Sequence, residues 1–200
     1  MRDQPGPATA PAEQRRVALP AVSGKVVVFL DFDGVVATPR AKALQGDKPE
    51  PDRWIDPLCV RAVNMLCQAS GALIVVSSSW RKDTTRRRFG AMMTRNGFIA
   101  RLHEDWRTAS LPGLFRGNEV VEWLGRHPEV ERHLILDDND DFHPNQPLVR
   151  TDALNGIQLP HLRAAFRILC PEDPHALMHA TDNGLGVARK PQPRPRHGTA

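Results

Sequence analysis

Residues Lys25 to Val36 read KVVVFLDFDGVV, and the break inside this stretch decides the fold. The segment up to Leu30 is a continuous β-branched and apolar run, too short for a helix and without the alternation of a strand that has one wet face. Such a run forms a strand buried on both faces, as in a parallel sheet flanked by helices. It stops at Asp31, where two carboxylates one residue apart meet Gly34.

Working outward, the same grammar repeats. Asp56 and Pro57 read as N-cap and first position of a helix carrying Leu58, Ala62, Met65, Leu66 and Ala69 on one face, stopped by Gly71. Residues 72 to 76 (ALIVV) form a second buried run, followed by Ser77, Ser78 and Ser79. Asp83 is the expected cap of a basic helix ending near Asn96 and Gly97, and Phe98 to Leu102 the expected next strand. A helix over Asn118 to Arg126 feeds a third apolar run, His133 to Leu136, which ends in Asp137. Leu148 to Thr151 reads as a shorter strand, and Leu159, Leu162, Phe166 and Leu169 mark a last helix. Strands alternating with helices imply a three-layer α/β/α, Rossmann-like domain with a mainly parallel sheet.

The prolines cluster toward both ends, so the domain is expected over residues 23 to 170, between a disordered tail at 1 to 22 and a proline-rich basic tail at 171 to 200. The three cysteines are too few and too irregularly spaced for a disulfide framework or a zinc site, which points to a reducing, cytoplasmic setting. No stretch has the apolar length of a membrane span or a signal peptide, so no membrane partner is expected. The formal net charge of +4 permits anionic partners without identifying one.

In a doubly wound sheet, ligands bind beyond the carboxyl ends of the strands, where three polar strand ends should converge. Asp31 and Asp33 can divide labour there: one stays ionised as nucleophile or metal ligand while the other holds a proton. Read alone, Asp-Gly is as well explained by a turn. Ser77 offers a hydroxyl and nearby amides where a phosphoryl oxygen needs donors, although a serine cluster is more often a plain loop. The third end, Asp137-Asp138-Asn139-Asp140-Asp141, places four acids in five positions, and oxygen-only ligands suit a hard ion such as magnesium. A transferring phosphoryl group also needs positive charge, for which Arg116 is the preferred candidate and a surface arginine the alternative.

The order of DFDGVV at 31 to 36, IVVSSSWR at 74 to 81 and LILDDNDD at 134 to 141 resembles the haloacid-dehalogenase (HAD) superfamily. More narrowly, SSSWR, RGNEVVEWL at 116 to 124, LDDNDDF at 136 to 142 and LVRTDALNGI at 148 to 157 look like the HAD domain associated with bacterial RNA-repair ("Swiss Army Knife") proteins. The resemblance implies a magnesium-dependent phosphomonoester hydrolase in which Asp31 forms an aspartyl-phosphate and Asp33 moves the proton. By the same resemblance Ser77 binds phosphoryl oxygens, and Asp31, the Asp33 carbonyl, Asp137 and either Asp138 or Asp141 hold the metal. Arg116 stands where the superfamily usually has lysine. Gly34, Ser78 and Arg81 are the residues expected to contact substrate.

Too few residues separate Asp33 from Ser77 for a large cap domain, and an open site favours an extended substrate. The basic stretch Arg81, Lys82, Arg86, Arg87 and Arg88 reads slightly more readily as a solvated helix face than as a nucleic-acid groove, and Trp80 and Trp106 as stacking surfaces or as core; the groove reading makes RNA or DNA ends the phosphorylated partner. The rival expectation is a non-catalytic HAD-fold module that binds phosphate-bearing ligands or RNA, which the missing lysine favours and the intact Asp31 and Asp33 oppose.

Overall fold

The computed structural model describes residues 25–45, 54–110 and 115–186. Its strands are β1 (Val26–Leu30), β2 (Leu73–Val76), β3 (Leu102–Arg107), β4 (Arg132–Asp137) and β5 (Leu148–Arg150). The helices are α1 (Pro39–Gln45), α2 (Pro57–Ser70), α3 (Arg86–Arg95), α4 (Arg116–Arg126), α5 (Leu159–Leu169) and α6 (Ala176–Asp182). The strands form one sheet in the order β3-β2-β1-β4-β5, parallel at every pairing. Among the described residues there is no large cap between β1 and β2, in agreement with the expected α/β/α architecture.

Side-chain alternation along β1 divides the core in two. Val26, Val28 and Leu30 pack with Val63 and Leu66 of α2, Phe89 and Met93 of α3, and Leu162 and Phe166 of α5. Val27 and Phe29 face the other way, against Val120 and Trp123 of α4. Helix α2 starts and stops as its sequence predicts: Asp56 accepts the amide of Leu58, Pro57 follows, and Gly71 ends it with φ at 71°.

Three local expectations differ. The cap of α3 is Thr85, whose hydroxyl accepts the Arg88 amide, while Asp83 sits two residues earlier at φ 56°. A 3-10 turn over Ser79–Arg81 takes up the residues after β2 and delays the helix. The strand expected at residues 98 to 102 starts only at Leu102, because Asn64 Oδ1 accepts the Ile99 and Ala100 amides and holds that segment as a loop. Helix α4 begins at Arg116, its first amides satisfied by Asp141: Oδ2 accepts the Arg116 amide and the backbone carbonyl the Gly117 amide.

The chain after Cys170, expected as the start of a tail, folds back as α6 against α2 and α5, burying Ala176, Ala180 and Leu185. The segments at 1 to 22 and 187 to 200 lie outside the described residues.

Candidate active site

The sheet places the three polar strand ends side by side by extending its ladder past the strands. The Asp31 amide donates to Leu136 O, the Ser77 amide to Leu30 O and the Thr151 amide to Asp137 O, at 2.9, 3.1 and 2.8 Å. Asp31 and Asp137 thereby meet across adjacent central strands, both buried. After Asp31 the chain turns sharply, and the Gly34 amide bonds Ala37 O. Gly34 has φ +67°, and a Cβ there would lie 2.4 Å from Asp138 Oδ2. Its role is therefore to admit Asp138 to the centre, and the Thr151 hydroxyl holds its carbonyl.

Asp31, Asp137 and Asp138 offer oxygens within 4.8 Å of one another. Arg116 enters this group from the first turn of α4. Its Nη2 donates to Asp31 Oδ1 and to Ser77 O, both at 2.9 Å, and its Nη1 donates to Asp137 Oδ1 at 3.2 Å. Burial alone would lower the guanidinium's pKa, but the two carboxylates outweigh it and hold it above its ordinary value. Asp137 is pushed up to about 7 by burial and by the Asp31 charge, with Arg116 opposing. Asp138 is raised for the same two reasons, burial first.

The residues fit a hard cation. Asp137 Oδ2 is buried, with Arg116 Nη1 3.0 Å away but not in hydrogen-bond geometry, and the surrounding donors are carboxylate oxygens with no sulfur or imidazole among them. Asp141 is not in this cluster, since it caps α4, and Asp140 pairs with Arg150 at 2.9 Å. Asn139 steadies the group by donating its amide to Asp137 Oδ1 and its Nδ2 to Asp138 Oδ1.

Asp33 reaches the mouth of the cleft, where Trp80 Nε1 donates to its Oδ2 at 2.9 Å. Loss of solvent raises the Asp33 carboxyl, the indole N–H counters, and the charges of Asp31 and Asp138 raise it further. The Asp33 pKa is thus raised from its ordinary value, the direction that suits a group giving a proton to a leaving oxygen.

The serines separate cleanly. Ser78 Oγ accepts the Trp80 amide as the cap of the 3-10 turn, whereas Ser77 Oγ is buried without a partner. A buried hydroxyl without a partner is costly and therefore a candidate ligand donor. Arg81 does not extend into the cleft as an open cation. All five of its N–H groups are engaged: Nε with Thr108 O, Nη1 with Ser77 O and Ser78 O, and Nη2 with Ala109 O and Glu119 Oε2. Trp106 is buried against Phe89, 5.1 Å between ring centres, and offers no stacking face. Lys82, Arg87 and Arg88 are exposed, while Arg86 donates to His103 O and Leu102 O.

The resulting cleft, of about 380 Å³, is lined by Asp31, Asp33, Lys82, Ser110, Arg116 and Asn139 among others. Three contributors are absent from the motif reading: Glu119, Thr108 and the indole N–H of Trp80. Glu119 lies one turn after Arg116 on the face of α4 opposite solvent, and a buried acid beside a buried arginine is the one signal that periodicity offers for it.

A family model described as the HAD domain in Swiss Army Knife RNA repair proteins matches residues 27–162. No curated protein and no solved structure matches. The matched span runs from β1 into α5 and includes every residue of the cleft.

Proposed function

The chain belongs to the family of HAD domains found in Swiss Army Knife RNA repair proteins, and from that membership and the geometry of the cleft we propose a phosphomonoester hydrolase acting through Asp31. The observation that carries the reading is the pairing of two unlike carboxylates: Asp31, buried and bonded to Arg116, and Asp33, at the mouth of the cleft and bonded to the Trp80 indole. Pure phosphate binding needs no such pair.

In the first step an Asp31 oxygen attacks phosphorus, the bond to the leaving oxygen breaks, and Asp33 gives that oxygen its proton. In the second, Asp33 takes a proton from water, the water oxygen attacks phosphorus, and inorganic phosphate departs with Asp31 regenerated. Arg116 balances the charge of Asp31 and Asp137 and faces the transferring group. Ser77 Oγ, buried and without a partner, donates to a phosphoryl oxygen. Asp31, Asp137, Asp138 and the Asp33 carbonyl would hold magnesium, which supplies charge neutralisation at the phosphoryl oxygens.

The substrate class we infer is a nucleic-acid terminal phosphate. Its supports are the RNA-repair family, the uncapped cleft, and the exposed Lys82 that lines it. The test is magnesium-dependent phosphate release from an aryl phosphate and from 3′- and 5′-phosphorylated RNA, with magnesium binding followed by calorimetry. Release by the wild type and its loss in Asp31→Asn, each measured at a magnesium concentration that calorimetry shows to saturate it, is the expected result. No release from any of these by folded wild type, with RNA still retained, would identify a binding module instead.

A further inference from the structure

We infer that Arg81, braced by Glu119, is a positioning residue of this site: it makes no contact with substrate but fixes Ser77 and, through the Ser77 carbonyl, the catalytic Arg116. The inference rests on the hydrolase reading above and assigns Arg81 a role different from the one its place after a serine cluster suggests.

The geometry forms a closed ring. Ser77 O accepts from two guanidinium groups, Arg81 Nη1 at 2.6 Å and Arg116 Nη2 at 2.9 Å. Arg81 Nη2 in turn donates at 2.7 Å to Glu119, which lies one turn after Arg116 on α4. The ring therefore runs from α4 through Arg116 to the end of β2, and back through Arg81 and Glu119 to α4. Arg81 also holds Ser78 O, Thr108 O and Ala109 O, so one planar group joins the end of β2, the chain after β3 and α4. With every donor engaged, a phosphate oxygen finds no N–H on Arg81 to accept.

Stability alone does not account for this arrangement. Removing two buried charges from water costs several kcal/mol per ion, and apolar residues of the same volume commonly serve stability as well or better. What a planar fork provides is direction: five donors in fixed relation set the positions of five oxygens at once. The distance of Arg116 from Asp31 and the placement of the Ser77 hydroxyl both depend on where Ser77 O sits, and catalytic donors lose effect with small displacements.

The test is steady-state kinetics on an aryl phosphate with Arg81→Lys and, separately, Glu119→Gln, far below each variant's melting temperature. Each is compared for inhibition by orthovanadate, which mimics the five-coordinate phosphoryl group, and by inorganic phosphate. Arg81→Lys keeps the charge and loses the fork, and it should lower kcat about 100-fold, the scale of one misplaced transition-state donor. KM and phosphate inhibition should stay within about twofold while vanadate inhibition weakens in step with kcat. Glu119→Gln should shift the same parameter in the same direction by less, and it carries the test alone if Arg81→Lys does not fold. A raised KM with unchanged kcat would overturn the inference by making Arg81 a substrate ligand. A lowered melting temperature with unchanged kcat would overturn it by making the ring a support of the fold alone. Absence of activity in the wild type would instead count against the hydrolase reading itself.

Discussion

Asp137 illustrates what a single residue exposes to measurement. It is wholly enclosed at the end of β4, and burial with the Asp31 charge moves its carboxyl from an ordinary 3.8 to about 7. In the metal-free protein, between these two values, the unfolded chain has this group ionised while the folded chain keeps its proton. The stabilisation is thus fully present below about pH 4 and is lost as pH rises through about 7. Melting in a chelator should show a temperature that falls from pH 5 to pH 8, with Asp137→Asn removing that share of the fall. Magnesium, by binding the ionised form, should restore the melting temperature at pH 8. A chelated wild type whose melting temperature is the same at both pH values as that of Asp137→Asn would show that the enclosed carboxyl does not carry the effect.

The residues of the candidate site are largely legible because they follow apolar runs directly, and a parallel sheet delivers strand ends to one edge. Asp31, Asp33, Ser77, Asp137 and Asp138 are brought together on that principle, and Arg116 joins them from α4. What the sequence did not reveal is which groups are already occupied. Arg81 reads as an open cation and is fully engaged, Ser78 reads as an equal of Ser77 and is a cap, and Asp141 reads as a ligand and closes a helix end. Occupancy depends on contacts far along the chain, such as Arg81 with Glu119, which no local pattern encodes.

Among the elements, α4 is the one on which the site depends most. It is the helix of the second face, and its hold on the sheet is Trp123, fully buried, with its ring 5.3 Å from Phe29, stacked on His127, and Nε1 donating to Asp105 O. Trp123→Ala should cost about 3–5 kcal/mol, the range for a large buried aromatic, measurable by denaturant titration. Because Arg116 rides on the same helix, the folded fraction should also lose hydrolysis. A cost below about 1 kcal/mol would mean that the helix is held by other contacts. The element least legible in the sequence is β3, whose stretch LHEDWR is polar because it is an edge strand in which only His103 and Trp106 are buried. Apolar runs identify central strands, and edges lack that signature.

At the scale of the whole molecule, the compact unit extends past the last helix expected from the sequence. Leu185 and the small residues Ala176 and Ala180 complete the core beside α2, and Gly186 donates its amide to Gln68. A chain ending at Cys170 would uncover this face. Burial of one leucine and two alanines suggests a loss of about 2–4 kcal/mol relative to a chain ending at Gly186, detectable as a lower denaturant midpoint. Equal midpoints would show that α6 lies on the domain without supporting it. A helix of seven residues has little periodicity to read, and the prolines around it are what make the segment read as tail.

The strand order also bears on how the protein comes into being. β1, which ends in Asp31, pairs with β4, which ends in Asp137, and most of the chain lies between Val26 and its partner Arg132. A ribosome must therefore pass β2, β3 and α4 and finish β4 before the central pairing can close, and until then β1 has only β2 beside it. Non-local pairing of this kind slows folding and leaves apolar strands unpartnered in the interval. The same order means that a chain stopped short of the end of β4 holds Asp31 without Asp137 and Asp138, so the acidic cluster exists only once both ends of the central pairing have been made.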